Sequence, residues 1–155
     1  MSASKQDTTI VWVVHPQLKI IGKSNYHLDL FSEALALTKA LPGTKLIGST
    51  VVKVEKPSPR EFFGRGKVEE LALVVKANNV HLVIVNGQIS PIQQQNLEKK
   101  WKVKILDRTA LILEIFSERA VTKEGILQVE MAALTYQRSR LVLSLIHISE
   151  PTRPY

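Results

Sequence analysis

The 155-residue sequence contains no cysteine. That single absence excludes disulfides, thiolate zinc sites and a cysteine nucleophile. No apolar run approaches the roughly 18 residues needed to cross a bilayer. Residues 1–9 are polar and offer no apolar segment of a secretory signal, so the expected compartment is the cytoplasm. A phosphate-binding loop of the form G-x-x-x-x-G-K-[ST] is missing as well. Gly22-Lys23-Ser24 has the right ending, but Gln17 stands where the first glycine belongs. Gly66-Lys67-Val68 has Glu61 at that place, and Val68 where a magnesium-binding hydroxyl is needed. No G-x-G-x-x-G follows a strand, which argues against a dinucleotide. His15, His27, His81 and His147 lack ligand spacing, so no metal site is expected. Ser24, His27 and Asp29 crowd one short polar stretch and cannot easily serve as nucleophile, base and orienter. Acidic residues are in deficit too. Fourteen Asp and Glu against 21 Lys and Arg leave a net charge of +7, and the isoelectric point is near 9.7. Such an excess favours an anionic partner, most often nucleic acid, because neutralised phosphates release counterions.

What is present is a globular pattern, 45% hydrophobic and 23% charged. Residues 10–14 (IVWVV) read as a strand buried on both faces. After a polar stretch at 23–27, Phe31, Ala34, Leu35, Thr38 and Leu41 share a helical face that Pro42-Gly43 ends. Residues 46–54 are rich in β-branched side chains and predict a second strand. Residues 56–60 (KPSPR) hold two prolines and exclude regular structure. Gly64-Arg65-Gly66-Lys67 predicts a basic turn opening a helix that carries Val68, Leu71, Ala72 and Val75. Residues 80–85 form a third strand. Ser90, Pro91 and Gln93 then supply a cap, a first helical residue and a capping box. Residues 103–106 make the fourth strand, and Asp107 caps a helix bearing Leu111, Ile112, Ile115 and Phe116. Strands alternating with helices across short links predict an α/β fold, a small parallel four-stranded sheet flanked by helices. From Gly125 onward, Ile126, Val129, Ala133 and Tyr136 form one apolar stripe, and Leu127, Met131, Leu134 and Leu141 an adjacent one. This predicts a long amphipathic helix, the first arm of a helical hairpin.

Four segments in succession resemble the N-terminal region of HflX-family ribosome-associated GTPases. They are FFGRGKVEEL at 62–71, SPIQQQNLE at 90–98, KILDRT at 104–109 with ILEIF at 112–116, and RAVTKEG at 119–125 continuing into LQVE at 127–130. Ala110 departs from the glycine common after the Arg-Thr pair, and alanine is the better helix former there. The resemblance spans roughly residues 10–142. It implies a translation-linked binding module whose partners are the large ribosomal subunit and its rRNA, in a protein whose GTPase domain follows and uses GTP and Mg. The chain itself, having no P-loop, is expected to be non-catalytic and to hold no cofactor.

Within that reading, Gly64, Arg65, Gly66 and Lys67 are the expected phosphate- or nucleotide-binding residues. Two glycines admit close backbone approach, two cations flank them, and a helix N-terminus follows. The competing account is a tight turn needing glycine geometry. Arg119, Lys123, Arg138 and Arg140 are the expected rRNA contacts, acting on phosphates. The domains expected are a polar tail at 1–9, the α/β domain at 10–118 and the start of a helical middle domain at 119–142. The last segment, 143–155, breaks the pattern. Its LSLIHISEPTR string resembles the in-frame translation of a transposon-type sequencing adapter, with a strand-like alternation at Ile146 and Ile148. It is expected to be non-native, and the helical arm left unpartnered is expected to self-associate. The alternative is a freestanding α/β nucleotide- or ligand-binding regulatory domain, and a third is an enzyme acting on a phosphorylated substrate.

Overall fold

In the computed structural model the described residues are 8–18 and 24–149, with side chains described at 8–18 and 28–139. The expectations placed on Gly22, Lys23, the side chains of His27, Arg140 and His147, and residues 150–155 lie outside that range. The order is β1 (Thr9–Leu18), α1 (Ser24–Lys39), β2 (Thr44–Val54), α2 (Arg65–Ala77), β3 (Leu82–Val85), α3 (Pro91–Trp101), β4 (Lys104–Asp107), α4 (Arg108–Arg119) and α5 (Lys123–Ser149). The four strands form one parallel sheet in the order β2-β1-β3-β4.

Where they pair, residues 11–14 of β1 and all of β3 are apolar, and both faces there are covered. Period-two alternation then divides the core. Val14, Val83, Val85 and Ile105 pack against Phe63, Leu71, Val75, Leu97 and Trp101 from the α2–α3 side. Val11, Val13, Ile84 and Leu106 pack against Ala34, Leu111 and Ile115 from the α1–α4 side. Each such side chain taken fully out of water contributes roughly 1.5–3 kcal/mol. On β2 the parity reverses at a bulge, where Val11 pairs Leu46 and Trp12 pairs Gly48, so that Ile47 is skipped. Leu46 therefore joins the α1–α4 face, while Val52 and Val54 join the other.

The helix boundaries follow local chemistry. α1 ends at Lys39, and Gly43, at φ 72, turns the chain into β2. Ser90 Oγ accepts the Gln93 amide at 3.1 Å while Gln93 Oε1 accepts the Ser90 amide at 2.7 Å, the capping box that the sequence calls for. Asp107 Oδ1 accepts the Ala110 amide at 2.8 Å and caps α4. On the outer side of β4, Gln94 Nε2 donates to the Ile105 carbonyl at 3.0 Å, and Glu98 Oε1 accepts the Ile105 amide at 3.4 Å.

Some expectations need correction. The stretch 24–27 is already helical, since α1 starts at Ser24. β3 begins at Leu82 and β4 at Lys104, later than 80 and 103. Phe116 is 55% exposed, because Leu111 and Ile115 turn inward and the next residue rotates past the buried sector. Residues 143–149 continue α5 and do not alternate as a strand. Along α5, Val129, Ala133 and Tyr136 are half-buried where the helix packs on α3 and α4, whereas Leu127, Met131 and Leu134 are exposed.

Candidate functional site

In an open parallel sheet, ligands collect beyond the carboxyl ends of strands where the order reverses, here between β1 and β3. Three strand ends deliver polar side chains to that place. His15 comes from β1 and is 2% exposed, Asn86 follows β3, and Arg108 follows β4. Asn86 Nδ2 lies 2.9 Å from His15 Nδ1 and donates to the Leu30 carbonyl at 3.1 Å. Its Oδ1 accepts from Arg108 Nη1 at 3.1 Å. The carbonyl on one side and the guanidinium on the other orient the amide, so His15 Nδ1 is the acceptor of its pair. Arg108 Nη2 also donates to Glu33 Oε1 on α1 at 2.6 Å. The Phe31 ring lies 5.5 Å from the His15 ring, centroid to centroid. Tyr136 of α5 donates its hydroxyl proton to Asp107 Oδ2, the carboxylate whose other oxygen caps α4. These bonds, buried at His15 and Asn86 and opening to solvent at Arg108 and Glu33, occupy the switch point with the chain's own groups and tie α1, β1, β3, α4 and α5 together.

Sequence reasoning picked out Asp107 as a cap, which it is. The sequence shows no ligand spacing around His15, gives Tyr136 only as part of an apolar stripe, and marks Glu33 in no way. The pairing of His15 with Asn86 joins residues 71 apart and needs β1 beside β3. Asn86-Gly87, a turn step directly after the third strand, is the one local sign of this place in the sequence.

The Gly64 to Lys67 segment lies at the same edge of the sheet, since it follows β2 and opens α2. Gly64 is the N-cap at φ −60, and Arg65 is already helical. A Cβ added at Gly64 or Gly66 meets nothing within 4 Å, and neither has positive φ. Glycine geometry therefore does not require these residues; the positive φ nearby belongs to Phe62, at 67. Arg65 pairs with Glu69 at 3.8 Å and Lys67 with Glu70 at 3.1 Å, all well exposed, pairs worth little in water. The loop before them is pinned by α3, with Gln93 Nε2 donating to the Ser58 carbonyl at 2.7 Å and Asn96 Nδ2 to the Arg60 carbonyl at 2.8 Å. Trp101 Nε1 donates to the Val68 carbonyl at 2.8 Å. A magnesium-nucleotide does not fit here. The position that needs a hydroxyl holds Val68, 1% exposed and turned into the core.

Of the expected rRNA contacts, Arg119 ends α4, Lys123 begins α5 and Arg138 lies further along it, all exposed. None forms an ion pair among the described residues. They sit on the helical extension and are not brought to the network. No helix among the described residues is long and apolar enough to cross a membrane.

A family model described as GTP-binding GTPase N-terminal matches residues 29–117. GTPase HflX of Magnetococcus marinus is 48% identical over 106 residues, covering 68% of this chain and 24% of its own length. GTPase HflX of Escherichia coli is 45% identical over 92 residues, covering 59% and 22%. The chain thus spans about a quarter of the length of these curated relatives. Among solved structures, a GTP-binding protein from the archaeon Sulfolobus solfataricus in complex with GDP aligns with TM-score 0.62 at 21% identity, over 83% of this chain and 37% of that one. At that identity the likeness is one of fold.

Proposed function

Since the chain belongs to the N-terminal domain family of HflX-type GTPases, we propose that it is the rRNA-facing body of a cytoplasmic, ribosome-associated GTPase. Its role is to dock on the large ribosomal subunit in the separation or rescue of ribosomes under stress. GTP and Mg serve a catalytic segment of the full-length relatives, and this chain does not itself cleave phosphate. The observation that carries the reading is the family match across residues 29–117 of a chain with net charge +7. It is supported by a switch point at which His15, Asn86 and Arg108 bond to one another. In this proposal Gly64, Arg65, Gly66 and Lys67 contact a phosphate, with Arg119, Lys123, Arg138 and Arg140 on the rRNA backbone. The exposed stripe of Leu127, Met131 and Leu134 serves as a self-association surface in the isolated chain.

Sedimentation with purified large-subunit particles over a salt series tests the proposal. Co-sedimentation at low ionic strength that weakens linearly in log salt is expected. A folded chain that stays in the supernatant at every salt, or one that turns over GTP unaided, sinks it.

A further inference from the structure

The amino-terminal edge of the sheet, opposite the network, gathers basic side chains from four elements. Because the helices run back between parallel strands, α2 and α3 both end here. Lys76 lies in the last turn of α2, and Lys99 and Lys100 in that of α3. Lys102 caps α3, Lys104 opens β4, and His81 precedes β3. Together they rim two adjoining shallow depressions of about 700 and 530 Å³, which share Val80, His81, Lys102 and Val103. Glu98 is the carboxylate in their lining, and it is turned to Gln94 Nε2 at 3.0 Å and to the Ile105 amide. None of the five lysines forms an ion pair among the described residues.

The helix macrodipole accounts for cations in last turns, and so for Lys76, Lys99 and Lys100. It does not account for Lys104, exposed on an edge strand. Nor does it account for Lys102, which takes φ 55 and ψ 41 at the cap of α3. That left-handed conformation is glycine's by default and strains a longer side chain. Lysine at this position keeps a charge in a place where glycine would be conformationally easier. His81 Nδ1 accepts the Ile10 amide at 3.1 Å, which leaves its other nitrogen as the outward donor.

We infer that this edge is a further docking surface for the phosphate backbone of structured RNA, additional to the cations of the helical extension. The inference rests on the RNA-binding reading above. Lysines act there as mobile point charges suited to phosphate oxygens, with no planar fork to read bases.

Anisotropy titrations of a fluorescent duplex RNA hairpin with the full chain, repeated over a salt series, test it. The triple variant Lys99→Gln, Lys102→Gln, Lys104→Gln is expected to bind at least about tenfold more weakly, with a log–log salt slope shallower by about 2 to 3. Lys102→Gly alone is expected to melt at a higher temperature yet bind RNA several-fold more weakly, a pairing that a purely structural lysine does not produce. Unchanged affinity and slope in the triple variant, with binding lost in Arg119→Gln, Lys123→Gln, Arg138→Gln, overturns the inference and leaves the RNA reading standing. Stronger capture on anionic phospholipid vesicles than on RNA overturns it too. A wild-type chain that ignores RNA and ribosomal particles alike at low ionic strength removes both.

Discussion

The Trp12 indole lies flat over Gly48 of the neighbouring strand, so that a Cβ built on Gly48 would stand 2.5 Å from Cη2 and 2.9 Å from Cε3. Trp12 Nε1 holds the ring there by donating to Thr50 Oγ1 at 2.9 Å. Gly48→Ala is therefore expected to destabilise the fold by about 1–3 kcal/mol through overpacking. Adding Thr50→Val frees the ring, so the double variant is expected to lose less than the sum of the two single losses. Urea unfolding of the four proteins checks this; strict additivity refutes the pinned ring.

Asn86 is the hub of the switch-point network, in contact with His15, Leu30 and Arg108. Asn86→Ala takes one contact from each of three partners at once, one of them a buried imidazole, while Arg108 keeps Glu33. A loss of about 2–4 kcal/mol is expected, read by denaturant melting. A loss below about 0.5 kcal/mol, the range of an ordinary surface change, contradicts the hub.

Tyr136 ties α5 to the carboxylate that caps α4. Tyr136→Phe keeps the ring and removes the hydroxyl. The expected result is roughly 1.5–3 kcal/mol less stability for the docking of α5, the range for a hydrogen bond to a charged group. Amide exchange is expected to speed up along residues 123–139 while β1 and β3 stay protected. Equal protection in both proteins shows that the helix is held by other contacts.

Gly66 sits in the first turn of α2 with open space around it and no positive φ. Gly66→Ala is thus expected to stabilise the chain by about 0.5–1 kcal/mol. If the segment binds phosphate, the same substitution obstructs backbone approach and weakens phosphate or RNA affinity. Equilibrium titration beside thermal melting separates the two effects. A variant both more stable and undiminished in affinity removes the proposed role of this turn.

Much of this architecture was legible because local chemistry and tertiary demand agree. Pro42-Gly43, the Ser90-Gln93 box and the Asp107 cap each act within a few residues, so their signals stand in the chain itself. What escaped depends on pairing. The bulge at Ile47, which swaps the face on which Leu46 and Val52 lie, is marked in the chain by Gly48 alone, a glycine inside a strand that does not say which side chains change face. The His15–Asn86–Arg108 network needs the strand order, which alternation of elements does not specify. The Gly64 to Lys67 segment reads as a turn by composition, yet its residues from Arg65 onward are helix, and only the backbone angles reveal that its glycines are sterically optional.

Gln94 and Glu98, one helical turn apart, offer the Ile105 peptide a donor and an acceptor from the side where another strand would lie. They behave as a surrogate strand made of two side chains. An open sheet margin is a template on which neighbouring molecules zip together, and here that template is already taken. The opposite margin, β2, is blunted differently, by its irregularity at Ile47 and by Lys45 and Lys53. Edge-to-edge pairing with a second copy is therefore discouraged at β4, and the longer β2 is the margin left for such pairing among the described residues.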